Sequence, residues 1–410
     1  MRILHTADWH LADRLGRIDR TNDLRLAVEQ VADYCRCERV DVLLVAGDLF
    51  SELAGAEALR DTIGHLQETF EPFLREGGTI LTLTGNHDRE NFCQTLRAAM
   101  SLAAPSAQAP GGIVPHGRFY LATEPDLVRV EDRRTGLPVQ FVLMPYPTPT
   151  RYLVGEANQR YQGYDERNRT LLAAFTRTLH ELRNCAAFSE ELPAVLAAHI
   201  GVRGSDLARL FRLSQDEDLI FDPAEIPTGF AYTALGHIHR PQAVGGNPTV
   251  RYSGSIERMD LGEQHDEKSV VLLDLGPEGI EGDIRTLPLQ ATPVYEITIN
   301  DPTNEIPELR QRFPEAKNHL VRIRGTYTAG VEAREEVLRQ LEAIFPRWYD
   351  RQLSEANPLG STLCPGGPSK ARSFEQTVRD YVDQELTNHS DAERAAVFAE
   401  LEALLQEMQA

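Results

Sequence analysis

Val42-Leu43-Leu44-Val45-Ala46-Gly47-Asp48 is an apolar run of strand length stopped by a glycine and an aspartate. The pattern recurs along the chain. Ile3-Leu4 precedes Asp8-Trp9-His10, Ile80 to Thr84 precedes Gly85-Asn86-His87-Asp88, Val195 to Ala198 runs into His199, and Tyr232 to Leu235 precedes Gly236-His237-Ile238-His239. Short apolar runs followed by turn residues read as buried strands. In open α/β sheets, sites are built outside the carboxyl ends of the strands. Strand after strand ending in a metal-ligating side chain therefore predicts an α/β fold with its ligands gathered along one sheet edge.

The composition bounds the class. A chain of 410 residues with 41% hydrophobic residues buries a large core and has room for two or three domains. There is no run of 18 or more apolar residues, and Met1-Arg2-Ile3-Leu4-His5 enters the first strand directly, so neither membrane insertion nor secretion is expected. Five cysteines without CxxC spacing fit reduced thiols and a cytoplasmic setting. The net charge of −20 opposes nonspecific attraction to polyanions. Bound divalent cations reverse that sign locally, and nearly all the basic residues are arginine, whose planar fork matches phosphate oxygens.

From residue 1 to 289 strands alternate with helical patterns at Asn22 to Arg39, Gly55 to Phe73 and Asn168 to Cys185, as in a sheet covered by helices. Gln140 to Met144 and Ser269 to Leu275 suggest a second, more antiparallel sheet against the first. Residues 290–353 read as a small βαβα unit of the α+β class, with strands at Val294 to Ile299 and Leu320 to Thr326 and helices at Pro307 to Phe313 and Val331 to Ile344. It has no cluster of catalytic residue types, so its work is shaping or recognition. Residues 354–373, rich in Pro, Gly and Ser, read as a flexible linker. Residues 374–410 read as two short amphipathic helices, with Ser390 and Glu393 expected as a capping box for the second. They dock on their own domain or in a partner's groove. With nine acidic and two basic residues they are a poor DNA contact, so the partner surface is a protein.

Two aspartates, one asparagine and four histidines at the strand ends fit two ions of about four ligands each, if Asp48 is shared. Such ions sit roughly 3.5–4 Å apart and clamp the attacking and leaving oxygens of an in-line displacement. Mixed nitrogen and oxygen donors suit Mn²⁺, Fe²⁺ or Zn²⁺ better than Mg²⁺. Without thiolates the set does not resemble a structural zinc site.

His5-Thr6-Ala7-Asp8-Trp9-His10-Leu11, Ala46-Gly47-Asp48-Leu49-Phe50, Gly85-Asn86-His87-Asp88 and Gly236-His237-Ile238-His239 resemble the motifs of the calcineurin-like metallophosphoesterases. Within that superfamily they are similar to the SbcD exonuclease subunits and their double-strand-break repair relatives. Tyr252-Ser253-Gly254-Ser255-Ile256-Glu257-Arg258 and Leu261-Gly262-Glu263 are similar to a late segment of the same group. The resemblance implies a four-layer α/β/β/α sandwich with a small α+β capping domain and a C-terminal helical tail. It also implies a metal-dependent DNA nuclease using two divalent ions, with Mn²⁺ expected, in DNA repair and the processing of ends or hairpins. The implied partners are DNA and an SbcC-type ATPase bound through 374–410, with a homodimer inside a heterotetramer. A phosphoesterase acting on small diesters or nucleotides, and a non-catalytic scaffold regulating an ATPase, are the alternatives.

By that likeness Asp8, His10, Asp48 and His239 hold one ion, and Asp48, Asn86, His199 and His237 the other. His87 is the residue to protonate or stabilise the departing 3′ oxygen. Asp88 orients His87 or a ligand, or simply caps a turn. Ser51 stands where the archaeal and eukaryotic relatives have histidine and where purple acid phosphatases have a metal-binding tyrosine, so neither role transfers. Arg14, Arg17, Arg20, Arg89, Arg203, Arg240 and Arg258 lie near the motifs and are candidate DNA phosphate contacts, with surface ion pairs as the plain alternative.

Overall fold

Successive residues of a strand face opposite sides of its sheet. In this computed structural model, which describes residues 1–103, 111–153, 163–206, 219–328 and 333–355 with Val397, Phe398 and Leu401, Ile3 and Leu4 enter different cores. Ile3 packs with Val42, Leu44, Leu81 and Leu83 against Phe141, Leu143, Val195 and Ala197 of a second sheet. Leu4 joins Leu43, Val45 and Ile80 beneath Leu24, Val28, Leu66 and Phe70, which come from the helices Thr21–Cys37 and Ala56–Arg75. On the far side Val142, Leu196 and Ala198 pack on Leu171, Phe175 and Leu179 of the helix Tyr164–Asn184. The layers run helix, sheet, sheet, helix. Because both faces of the central strands are buried, Val42 to Ala46 and Val195 to Ala198 are unbroken apolar strings.

The first sheet has the order Gly279–Pro288, Ser269–Gly276, Arg2–Thr6, Val42–Val45, Thr79–Leu83, Phe119–Ala122. Its last four strands are parallel and its first two antiparallel. In the second sheet Asn247–Tyr252, Tyr232–Gly236, Ala194–His199 and Pro138–Met144 are parallel neighbours. Parallel strands end together, and so do the loops that follow them. Among the described residues no helix is long and apolar enough to cross a membrane.

Within the compact unit Met1–Ala356, the part expected to be a small domain has three parallel strands, Val294–Ile299, Leu320–Tyr327 and Trp348–Glu355, with the helices Pro302–Arg312 and Arg334–Ile344. Its core includes Ile297, Ile299, Ile306, Val321, Ile323, Leu341 and Phe345. The sequence pattern misses the third strand, because Asp350, Arg351 and Gln352 are exposed and Leu353 is its buried residue. That strand reaches Glu355, inside the stretch read as linker. The first helix starts at Pro302 instead of Pro307, since Asp301 caps it and proline's fixed φ suits the first helical turn. The rest of the linker and, apart from helical Val397, Phe398 and Leu401, the tail at 374–410 lie outside the described residues.

Leu15, Val294 and Leu320 share a buried cluster that joins the small domain to the hairpin after Asp8-Trp9-His10. The Arg17 guanidinium lies 3.9 Å over the Trp348 ring and donates to the Trp348 and Pro346 carbonyls. Arg20 is 1% exposed and binds Asp23 and Glu257. Asp23 also takes Arg347 of the small domain, and Glu257 accepts the Thr292 N–H.

Candidate metal centre

The ligand loops are tied together by their backbones. Asp8 N–H donates to the Gly47 carbonyl at 3.0 Å, and the Trp9 and His10 N–H groups donate to the Asp48 carbonyl at 2.8 and 2.9 Å. Asp8, His10, Asp48 and His237 adopt φ of 53°, 44°, 51° and 96°, a region that costs an L-residue about 1–3 kcal/mol. The strain is concentrated on ligand positions. Two glycines let the loops close: a Cβ on Gly236 would stand 1.9 Å from the Ala46 carbonyl oxygen, and one on Gly85 would stand 2.1 Å from Asp48 Oδ1.

The seven strand-end residues meet in one place. Donor atoms of Asp8, His10 and His239 lie within 4.8 Å of one another, as do those of Asp8, Asp48 and His199. His10 Nε2 and His239 Nε2 are 3.1 Å apart, and His199 Nε2 is 3.2 Å from Asp48 Oδ2. Asn86 Oδ1 lies 3.0 Å from both His199 Nε2 and His237 Nδ1. Asp48 is central, with His10 on one side and His199 on the other. Two imidazole nitrogens 3.1 Å apart cannot both present lone pairs unless a positive charge stands between them.

The outer contacts set the tautomers. His199 Nδ1 is 2.8 Å from the Ala46 carbonyl oxygen and His239 Nδ1 is 2.7 Å from Glu263 Oε1, so each ring donates backwards and aims Nε2 into the cluster. Ligating histidines are held in this way. Glu263 is gripped in turn by buried Lys268 at 2.6 Å, and Lys268 Nζ donates to the His239 carbonyl. Glu263 and Lys268 have no role in the sequence reading. The bond from Glu263 to His239 spans 24 residues, and only the late Leu261-Gly262-Glu263 resemblance points near it. The donor set therefore fits two divalent cations: mixed nitrogen and oxygen atoms, fixed tautomers and a central carboxylate.

The electrostatics agree. Burial raises Asp8, assisted by Asp48, despite the pull of His199 and His239. Burial acts the same way on Asp48, but His199, His10 and His87 hold it well below the usual carboxylate range. Burial lowers His199, yet Asp48 and Asp8 push it up to about 9. Burial and the neighbouring His199 lower His237 to about 3. The carboxylates thus hold a positive charge on His199, which must lose that proton before Nε2 can bind a cation. Cation affinity is expected to rise about tenfold per unit between about pH 7 and pH 8.5, with about one proton released. Calorimetric titration of Mn²⁺ in two buffers of different ionisation heat measures this. A pH-independent affinity with no proton released would show that His199 carries no extra proton in the metal-free protein.

His87 stands at the mouth, its side chain 22% exposed and its ring 4.9 Å from that of His10. Its N–H donates to Asp48 Oδ1 at 2.8 Å. The Asp88 carboxylate accepts from the backbone N–H groups of Gly85, Leu49 and Phe50, which is the turn-capping alternative, and it ties the Asp48 and Asn86 loops together. Burial and Asp48 push it up to about 6. Buried Ser51 donates to Asp13.

The arginines divide. Arg20 is interior, captured by Asp23 and by Glu257, which lies far from it in the sequence, so the expectation of DNA contact is withdrawn for it. Exposed Arg17 and half-buried Arg258 serve the domain junction, Arg258 through the Ala291, Thr292 and Asp266 carbonyls. Arg14, Arg89, Arg203 and Arg240 are exposed. Arg89 donates to the Glu52 carbonyl, and Arg240 pairs with Asp206.

An α/β/β/α sandwich with these donors at its strand ends is a metallophosphoesterase. The Calcineurin-like phosphoesterase model matches residues 1–241, and the chain belongs to that family. It is 28% identical over 284 residues to the SbcD component of the nuclease SbcCD from Rhodobacter capsulatus, covering 67% of this chain and 66% of that one. The SbcD of Bacillus subtilis is 28% identical over 282 residues, covering 68% and 67%. That of Escherichia coli K12 is 29% identical over 279 residues, covering 67% and 64%, so the match spans about two-thirds of each relative's length.

Proposed function

We propose that the chain is the nuclease component of a two-part DNA-processing enzyme, hydrolysing DNA phosphodiester bonds with two divalent ions, Mn²⁺ by preference, in repair and in processing ends or hairpins. The observation that carries this reading is the convergence of Asp8, His10, Asp48, Asn86, His199, His237 and His239 where strand ends of the two sheets meet. Asp8, His10, Asp48 and His239 would hold one ion, and Asp48, Asn86, His199 and His237 the other. When bound, the ions supply Lewis acidity toward the phosphoryl oxygens and lower the pKa of the attacking water. The protein's own part is to hold these donors in fixed tautomers and to offer His87 as the acid for the departing 3′ oxygen. Exposed Arg203, beside the His199 strand end, is the arginine proposed to meet a DNA phosphate, with Arg14, Arg89 and Arg240 around it. Partnership with an SbcC-type ATPase through 374–410, and a homodimer within a heterotetramer, complete the proposal. The similarity to the D subunits of SbcCD nucleases supports a partner subunit.

The test assays the full chain with Mn²⁺ on linear and hairpin duplexes and on a small aryl phosphodiester, alone and with the ATPase. Hydrolysis of the aryl diester without any DNA cleavage under either condition would overturn the nuclease reading. His87→Ala is expected to lower kcat on DNA about a hundredfold. The aryl diester, whose leaving group departs without a proton, should slow far less. Equal losses on both substrates would refute the acid role.

A further inference from the structure

On the small domain, three aromatic rings touch one another. Tyr295 lies 5.2 Å from His319 and 5.4 Å from Phe313, and Phe313 lies 6.1 Å from His319. Tyr295 is 36% exposed although large and aromatic. The stretch Arg310-Gln311-Arg312-Phe313-Pro314-Glu315-Ala316-Lys317 brings three cations against one acid, in a chain of net charge −20. All three cations are exposed. Arg312 lies 5.2 Å over the Phe313 ring, and no acidic partner pairs with Arg310, Arg312 or Lys317 among the described residues. Arg310, Phe313, Pro314, Lys317 and Ile344 line a cavity of about 220 Å³ beside the rings.

One exposed aromatic, Tyr295, backed by half-buried Phe313 and His319 and with unpaired cations nearby, suits a ligand carrying both flat apolar faces and phosphates. An unpaired nucleic-acid strand has both, whereas a duplex hides its base faces. Tyr295 lies on the strand face that carries Ile297 and Ile299, opposite Val294, which packs with Leu15 and Leu320. We propose that Tyr295, Phe313 and His319, with Arg310, Arg312 and Lys317, form a stacking platform for an unpaired strand of nucleic acid. The platform goes beyond the nuclease reading, because binding there requires no metal.

The test measures fluorescence anisotropy of the full chain in EDTA with labelled oligothymidylate and with a blunt duplex, across a salt series. Tyr295→Ala is expected to weaken single-strand binding roughly tenfold while Tyr295→Trp restores it, with duplex binding unchanged. The double variant Arg312→Glu with Lys317→Glu should flatten the single-strand salt slope by about 1.4. Both should keep the wild-type rate on the aryl diester, which reports an intact fold and metal centre. The platform is overturned if the chain binds no single strand, or if Tyr295→Ala leaves that affinity unchanged or weakens duplex binding equally. Displacement by polyglutamate with no Tyr295 dependence would assign the patch to an acidic peptide instead. Wild-type DNA cleavage with normal strand binding by the variants removes the platform alone. The expected binding pattern without any DNA cleavage removes the nuclease reading alone.

Discussion

Asp48→Asn is expected to lower kcat/KM for phosphodiester hydrolysis at least about a thousandfold, a loss of about 4 kcal/mol in transition-state stabilisation. Asp48 lies between the two halves of the donor set: Oδ2 is 3.2 Å from His199 Nε2 and 3.7 Å from His10 Nε2, and Oδ1 receives the His87 N–H. The amide keeps the shape and removes the charge, so ion binding suffers while the loops stay in place. The substitution also removes the main support of the His199 charge, and the His199 titration in metal-free protein should fall from about 9. Kinetics with saturating Mn²⁺ and an NMR titration read the two effects. Activity within tenfold of wild type would show that Asp48 is not the shared ligand.

Glu263→Ala is expected to be the most damaging change outside the ligands. Glu263 fixes the His239 tautomer, and loss of such an outer carboxylate typically weakens metal binding 10- to 100-fold. Lys268 is a second cost. Its ammonium is buried between Glu263 and Asp266, and leaving a buried charge without its main partner costs about 3–5 kcal/mol. The substitution should therefore lower both metal affinity and the denaturant midpoint. The double change Glu263→Ala with Lys268→Met should recover most of the stability and little of the metal affinity. Denaturant titrations of metal-free protein and Mn²⁺ binding isotherms separate the two. Recovery of metal affinity along with stability would show that Glu263 acts only on the fold.

The convergence of the candidate ligands was legible for a physical reason. A strand buried on both faces has to be an apolar string, so Val42 to Ala46 and Val195 to Ala198 stand out, and the polar residues that stop them must lie at the sheet edge. The division into two sheets was legible only in part: Gln140 to Met144 lies in the second sheet, but Ser269 to Leu275, read with it, pairs with Arg2–Thr6 in the first, and the central strands of the second sheet are parallel, not antiparallel. What depends on long-range contact was not. Arg20 follows a motif in a short hairpin and reads as a surface cation, yet Asp23 and Glu257 bury it. Asp88 reads equally well as a positioning group or a turn cap until its three backbone donors are seen. The strand Trp348–Glu355 shows too few apolar residues to be read as a strand, because much of it faces solvent.

Anomalous diffraction at the manganese edge from crystals grown in Mn²⁺ tests the central claim most directly. Two peaks roughly 3.5–4 Å apart on either side of Asp48 are expected, one among Asp8, His10 and His239 and the other among Asn86, His199 and His237. A single peak, or two peaks that share no contact with Asp48, would contradict it.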